Sequence, residues 1–436
     1  MVEIFDRELI VHDGLSERFR IVECMIVQVK YRPGKNCLIT YLLRIHDLNR
    51  EEMRELSITA LACRRGESLS VFADVMKRPH APVPIVRGIF HLPELETVAL
   101  VFPNDRKLTG LPFLIDAEHL LNDLLPEVIA HSLGNDWEIE GLTKHVIHYV
   151  PERACTVRVG LKLSNRRTSR LVSRVLFGKT YCLDEDELAW RGFQHLWDSE
   201  ARREGRLLIP QPLAYQPQIK TVWQSGLEGK TLNEYDRSSE AFSDLLMKGG
   251  AAVAALHEIK SSSAPVIATP DIVAGLEMAG TLLTRVRPSC SNSLHSLIKR
   301  LAATANSLGE RPFATLHGDL HLKNLFVTDG RIALIDLDSL AQGDPLRDVG
   351  SFIAAIHYRG ILEGSPVRET EQIAGRFIRA YRANVSWEVP ESGLNWHIAA
   401  ALIDERAYRC VTRMKAGRLA IIDDLIDLAR KISGLI

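Results

Sequence analysis

The sequence predicts an α+β fold, and three observations carry that expectation. The first half reads as short strands and turns, the second half reads as helices, and part of the strand-rich half recurs. Arg20 to Val29, Cys37 to Ile45 and Leu56 to Cys63 are rich in β-branched and apolar residues, with breaks such as Pro33-Gly34 between them. From about Ser239 the apolar spacing changes. Ser239 to Ile259 sets Leu245, Leu246, Val253 and Leu256 on one side of a helix, with Ser238 or Ser239 as its N-cap. Ile272 to Arg285, Asn292 to Ser307, Arg368 to Ala383 and His397 to Lys415 also read as helices.

The recurrence rests on anchors that keep their order. Tyr31-x-Pro33-x-x-x-Cys37 has the spacing of Tyr149-x-Pro151-x-x-x-Cys155, with a base two residues before each cysteine. Pro82-Val83-Pro84 matches Pro210-Gln211-Pro212, and Pro93-x-x-x-Thr97-Val98 matches Pro217-x-x-x-Thr221-Val222. Arg106-Lys107-Leu108 and Lys230-Thr231-Leu232 continue that register. A duplication spanning roughly 20–115 and 138–235 is expected. It sets Leu56 to Cys63 against the strand that carries Lys179, with Arg64 opposite Lys179.

The chain has 436 residues, which suggests two or three domains. With 46% hydrophobic and 25% charged residues, wholesale disorder and collagen-like fibres are excluded. Lys plus Arg is 54 and Asp plus Glu is 55, so no global charge favours nucleic acid or an anionic membrane as a partner. The seven cysteines are odd in number and form no C-x-x-C, which argues against a disulfide framework or a thiolate zinc site. The Met1 to Leu15 run has no signal-peptide pattern, and no apolar run is long enough to span a membrane. A cytoplasmic setting is expected; the composition fixes no oligomeric state.

The densest chemistry lies in His317-Gly318-Asp319-Leu320-His321-Leu322-Lys323-Asn324. Asp329-Gly330 between two apolar runs then signals a hairpin. Its second strand ends at Asp336-Leu337-Asp338, and Gly343-Asp344-Pro345-Leu346-Arg347-Asp348 follows. Phosphoryl transfer needs a carboxylate at the acceptor hydroxyl, oxygen ligands for magnesium and a cation on the nucleotide phosphates. Asp319 and Asn324 share one tight loop, and the hairpin returns the chain so that Asp336 can face them. Magnesium takes few protein ligands, all oxygen, and Asn324 with Asp336 meets that demand.

These motifs resemble the aminoglycoside phosphotransferase and choline kinase superfamily. The resemblance is specific over 317–350 and extends more weakly back to about 138. Leu322-Lys323 stands where the family often has Pro-Gly. The resemblance implies a protein-kinase-like bilobal fold, with a small antiparallel β lobe and a helical lobe. The duplication then adds an extra N-terminal copy of the small lobe: 1–125 a degenerate repeat, 126–235 the nucleotide-binding lobe, 236–436 the helical lobe. ATP or another nucleoside triphosphate, magnesium and a small-molecule hydroxyl acceptor are the implied ligands. Asp319 is implied as the catalytic carboxylate, and Asn324 and Asp336 as metal ligands. Lys179 would hold the α- and β-phosphates, Glu187, rather than Glu185, would be its acid on a helix beginning near Asp184, and Trp223-Gln224-Ser225 would face adenine. Pro151-Glu152-Arg153 stands where a glycine-rich phosphate flap would lie.

Among the supporting residues, His317 reads as packing, and His321 as orienting the loop or exposed. Asp338 reads as a third metal-facing carboxylate or a loop cap, and Asp344 as a turn former. Asp348 reads as a helix cap that, by the resemblance, braces the catalytic loop. Trp396, Asp404, Glu405, Tyr408 and Arg409 are candidates for the acceptor side, with i,i+4 surface pairing as the simpler reading of the charged ones. Two rival functions remain. One is a non-catalytic, pseudokinase-like binding or regulatory protein. The other is a metal-dependent hydrolase in which His317, Asp319 and His321 share a strand face.

Overall fold

The computed structural model describes residues 1–11, 14–78, 80–83, 86–182, 185–260, 264–309 and 311–434. Pro84 and Asp184, named above, lie outside the described residues. The chain divides into two compact units. One comprises Met1–Asp186, Leu213–Gln224 and Thr412–Lys415; the other comprises Glu187–Pro212, Ser225–Val411 and Ala416–Ile436. No described helix is long and apolar enough to cross a membrane.

The first unit is built on two sheets of the same strand order. Strands β1 (Phe19–Arg32), β2 (Asn36–Asp47), β3 (Glu52–Ala62), β4 (Ile89–Leu92) and β5 (Thr97–Val101) form a sheet ordered β1-β2-β3-β5-β4. Strands β6 (Trp137–Val150), β7 (Ala154–Asn165), β8 (Leu171–Tyr181), β9 (Pro212–Gln216) and β10 (Thr221–Ser225) repeat it as β6-β7-β8-β10-β9. A helix follows the third strand in each copy: α1 (Ser68–Met76) after β3, and α3 (Glu185–Trp197) after β8; α2 (Leu125–Leu133) lies between the copies.

The repeat is carried by turn chemistry. Tyr31 pairs with Cys37, and Tyr149 with Cys155, across equivalent hairpins. A 3-10 turn, Pro93–Leu95 or Pro217–Ile219, precedes the last strand in sequence of each sheet. Each turn closes on a left-handed residue, Glu96 or Lys220. The register corrects one expectation. Cys37 pairs with Ala62 and Cys155 with Thr180, so the counterpart of Lys179 is Leu61, and Arg64 lies beyond the end of β3. Leu61 is buried, so the first copy has an apolar side chain where the second has an ammonium.

Both sheets bury one face on helical turns that precede them. Phe5, Leu9 and Ile10 pack on the first sheet with Tyr41, Leu43, Ile45 and Ile58. Leu111, Leu120, Leu125 and Val128 pack on the second with Val157, Val159, Leu161 and Trp223. Period-2 alternation along β7 supplies that inward row. A Cβ at Gly178 would lie 2.8 Å from the Trp223 ring, so the strand needs glycine there to accommodate the indole.

In the second unit, β11 (Lys230–Thr231), β14 (Leu325–Thr328) and β15 (Arg331–Leu334) make one small sheet. β12 (Val266–Ile267), β13 (Ala314–Leu316) and β16 (Ala341–Gly343) make another. The helices are α4 (Glu240–His257), α5 (Thr269–Val286), α6 (Ser291–Thr304), α7 (Leu346–Glu363), α8 (Val367–Arg382), α9 (Glu391–Ala401) and α10 (Ile422–Ile432). Ser239 caps α4 by accepting the Phe242 N–H at 3.1 Å. α7 packs against α9, and α4 against α8. The single helix expected over His397 to Lys415 is instead three pieces. α9 ends at Ala401, Leu402–Ala407 is π-helical, and Tyr408–Thr412 is a short α-helix.

Candidate active site

The loop that carries the motif begins where β13 ends, at the Leu316–Ala341 pair. Its first two amides are fixed from α7. Asp348 accepts the N–H of His317 at 2.5 Å and that of Gly318 at 3.1 Å. Asp348 is fully buried, and His257 Nε2 lies 3.3 Å from its Oδ2. His257 Nδ1 in turn lies 2.8 Å from Tyr381 Oη. Burial pushes the Asp348 carboxyl up, but His257, with His317 and Arg347, outweighs it and holds it below the usual range. Gly318 has φ +80°, and a Cβ there would lie 1.9 Å from Ser339 O, so only glycine fits. The helix cap falls to the neighbouring acid: Asp344 Oδ1 accepts the Leu346 N–H at 2.9 Å, while Asp348 turns to the loop. Asp344 also binds Arg311 and lies 3.2 Å from His397 Nε2.

Ile335 ties three parts of the site together. Its carbonyl lies 2.9 Å from His317 Nε2, and its N–H donates to Asn324 O at 3.1 Å. Asn324 is buried, and its Nδ2 donates to Asp319 O at 2.9 Å. That bond fixes the amide so that Oδ1 is its remaining oxygen. Asp336 follows Ile335 directly, exposed and in the left-handed region at φ +63°. A non-glycine residue there is uncommon, and strained backbone of this kind gathers at functional sites. Asp338 is half-buried in the 3-10 turn Leu337–Ser339.

Asp319 is half-buried, with Arg409 Nη1 donating to its Oδ1 at 3.3 Å. Burial pushes its carboxyl up, but Arg409, His321 and Arg406 together hold it below the usual range. Asp319 is therefore an anion at neutral pH. Burial holds the His321 imidazole below its ordinary value, and Asp319 offsets this only in part. The shared strand face required by the hydrolase reading is not formed. β13 ends before His317, Gly318 is left-handed, and among the described residues no three His, Cys, Asp or Glu side chains gather as a metal site.

The acceptor-side candidates differ from a surface pattern. Trp396 is buried and donates to Leu301 O at 2.9 Å, so it belongs to the core. Asp404, Glu405 and Arg409 are not exposed, and Arg406, missed from the sequence, is only 8% exposed. Glu405 accepts from Ser351 Oγ at 2.6 Å and pairs with Arg406 at 3.2 Å.

The nucleotide-side candidates lie on β8, α3 and β10. Lys179 pairs with Thr156 across β7–β8, its Nζ 5.6 Å from the Tyr181 ring centroid. Glu187 is exposed and holds Arg191 at 2.5 Å. The buried acid of α3 is Asp186, between the two glutamates weighed from the sequence, and it accepts the Tyr215 hydroxyl at 2.7 Å. Gln224 is half-buried near the end of β10. Ser225 donates its N–H to Gln211 O and accepts the Gln211 N–H on Oγ, both at 2.9 Å. Trp223 is fully buried and donates to Gln216 Oε1, so its ring is core. In the Pro151-Glu152-Arg153 turn, Glu152 donates its N–H to Asp105 Oδ2 at 2.9 Å.

The loop geometry brings the Asn324 amide to the Asp319 carbonyl and ties Ile335, the residue before Asp336, to His317 and Asn324. Residues 186–389 match the phosphotransferase enzyme family. The resemblance read from the motifs is thereby shown for that segment. The family match contains Asp319, Asn324, Asp336 and Asp348; Lys179 precedes it, and Arg406 and Arg409 follow it. No curated protein matches the sequence. Among solved structures, a Ralstonia eutropha protein assigned to the aminoglycoside phosphotransferases is similar at 14% identity and TM-score 0.49, over 68% of this chain and 95% of its own. A thermostable mutant of aminoglycoside phosphotransferase APH(4)-Ia matches at 18% and 0.46, over 71% and 98%. A Mesorhizobium loti protein of the choline/ethanolamine kinase family matches at 13% and 0.44, over 71% and 94%.

Proposed function

We propose that this chain transfers the γ-phosphoryl group of ATP, or another nucleoside triphosphate, to a hydroxyl of a small molecule, with magnesium. The observation that carries the reading is the backbone of Ile335, which binds both His317 and Asn324 and so delivers Asp336 to the Asp319 loop. Asp319, anionic and held by Arg409, orients the acceptor hydroxyl and takes its proton. The acceptor oxygen bonds to the γ-phosphorus as the bond from that phosphorus to the β,γ-bridging oxygen breaks, releasing the nucleoside diphosphate. Asn324 Oδ1 and the Asp336 carboxylate are an all-oxygen donor set that fits magnesium. Asn324 and Asp336 would hold it, and its chemistry there would be neutralisation of charge on the nucleotide phosphates.

Lys179 is the residue proposed to bind the α- and β-phosphates, with the buried Asp186 in place of Glu187 as the acid that supports it. Gln224 and Ser225 are proposed beside the adenine. In this reading 1–125 is a non-catalytic repeat, 126–235 the nucleotide lobe and 236–436 the helical lobe. One observation favours a binding-only protein: the Glu152 N–H in the flap turn is engaged by Asp105 rather than pointing to phosphate. Incubation of the purified chain with ATP, magnesium and a panel of hydroxyl compounds tests the proposal. Phosphorylated product absent from Asp319→Asn supports it. Nucleotide binding with no product from any acceptor decides for the binding-only alternative.

A further inference from the structure

Five shielded polar atoms in the neighbourhood of Asp319 and Asp404 have no hydrogen-bond partner among the described residues: Asp404 Oδ1, Arg406 Nε, Arg347 Nη1, His317 Nδ1 and His321 Nδ1. They form one electrostatic neighbourhood. Arg409, His321 and Arg406 act on Asp319, and Arg347, Arg409 and Arg406 act on Asp404. Shielded polar groups are nearly always satisfied, so several unpaired in one place mark a position suited to a polar partner. The π-helical turn Leu402–Ala407 holds Asp404 and Arg406, and such turns recur at functional sites.

The unsatisfied donors point to the kind of ligand. An amine acceptor needs carboxylates that are open and ionised. Here Asp319 holds Arg409, and Glu405 holds Ser351 and Arg406. Burial, with the Glu405 charge beside it, pushes the Asp404 carboxyl up to about 8, so it is mostly neutral at pH 7. Three guanidiniums, Arg347, Arg406 and Arg409, stand among the carboxylates of Asp319, Glu405 and Asp348, and two of the three still carry an unsatisfied donor. The unsatisfied atoms on the two arginines are donors, and guanidinium is the group best suited to carboxylate and phosphate.

We propose that the acceptor phosphorylated at Asp319 is a hydroxyl compound carrying an oxyanion, a carboxylate or a phosphate, bound by Arg347 with Arg406 and Arg409. This rests on the phosphotransferase reading for its chemistry, but its charge preference is testable without turnover. Asp404 accepts a second hydroxyl of the same molecule on Oδ1.

The test titrates the full chain, without nucleotide and at fixed ionic strength, with glucose, gluconate, glucose 6-phosphate and choline. Gluconate or glucose 6-phosphate should bind at least ~10-fold tighter than glucose, and choline no tighter than glucose, since an oxyanion met by two donors gains a charge-assisted pair. The two anions separate the carboxylate from the phosphate arm. Arg347→Gln, checked by its unfolding transition, should weaken the favoured anion ~10-fold and leave glucose unchanged. Equal binding of all four, tighter choline, or an unchanged anion affinity in Arg347→Gln overturns the inference. ATP-dependent phosphorylation of the same panel separates the two claims. Phosphorylation confined to glucose or choline removes the oxyanion preference and keeps the phosphotransferase. Anion binding lost in Arg347→Gln with no phosphorylated product removes the phosphotransferase and keeps the oxyanion site.

Discussion

Arg32 and Glu152 stand in equivalent hairpins of the two repeats and meet in an ion pair of 2.5 Å, Arg32 Nη1 to Glu152 Oε2. Arg106 binds the other oxygen at 2.6 Å, and the Glu152 side chain is almost wholly buried. The counterpart of Glu152 in the first hairpin is Gly34, and both are left-handed, at φ +57° and +67°. The second repeat thus keeps a glutamate where glycine is easier, and two arginines from the chain before β6 hold it.

Glu152→Ala should cost about 3 kcal/mol, because it leaves Arg32 and Arg106 facing each other without their anion. Burial raises the Glu152 carboxyl, but Arg106 and Arg32 outweigh it and depress it. A depressed carboxyl contributes stability above its unfolded value, and that contribution is lost as pH falls through the folded value. Urea titrations should therefore show wild type and Glu152→Gln converging as pH falls from 7 into the acid range. A gap that stays constant with pH would contradict the ion pair's role.

Asp319→Asn is nearly isosteric, so the fold should survive while kcat falls at least ~1000-fold. Asp336→Asn should raise the magnesium concentration needed for half-maximal rate. Near wild-type kcat in the first variant, or unchanged magnesium dependence in the second, would remove those roles.

Gly318→Ala should be severe despite adding one methyl. The new Cβ meets Ser339 O, and φ +80° is itself unfavourable for alanine. The expected loss is about 3 kcal/mol of stability, with activity falling further because Asp319 is the next residue. Thermal unfolding with kinetics on the surviving folded fraction measures both.

Asp348→Ala should cost about 3 kcal/mol by leaving the His317 and Gly318 amides and His257 without their acceptor. Asp348→Asn should recover only part of this, since its NH2 group faces donors on every side. Full recovery in Asp348→Asn would show that the charge is not needed.

Lys179→Met and Asp186→Asn should each raise KM for ATP or lower kcat by ~10-fold or more, whereas Glu187→Gln should leave both within about 2-fold, its exposed pair with Arg191 being worth little. The reverse ranking of Asp186 and Glu187 would restore the acid expected from sequence.

Local chemistry made much of this legible. Tyr, Pro and Cys fix a hairpin, and Pro-x-x-x-Thr-Val fixes a 3-10 turn and a strand, so the repeat shows in the residues themselves. Strand register does not show in the same way. Aligning the two repeats by sequence sets Arg64 against Lys179, while the Cys37–Ala62 pair sets Leu61 there. The Asp319, Asn324 and Asp336 pattern was readable because one loop and one hairpin hold all three. Partners chosen by tertiary packing were not: Arg409 for Asp319, His257 for Asp348, and Arg32 and Arg106 for Glu152 lie far away in sequence. Asp186 was missed because two adjacent glutamates compete for the same reading.

The π-helical turn at Leu402–Ala407 has a geometric consequence. An α-helix advances about 100° per residue, and a π turn holds one residue more in its ring. The turn therefore works as a phase shifter: α9 keeps its own azimuth against α7, while Tyr408–Thr412 is rotated so that Arg409 points to Asp319. Deleting one residue between 402 and 407 would let the segment run on as a uniform helix. Every side chain beyond it would swing by about a quarter-turn, and Asp319 would lose its cation with no substitution made at either residue.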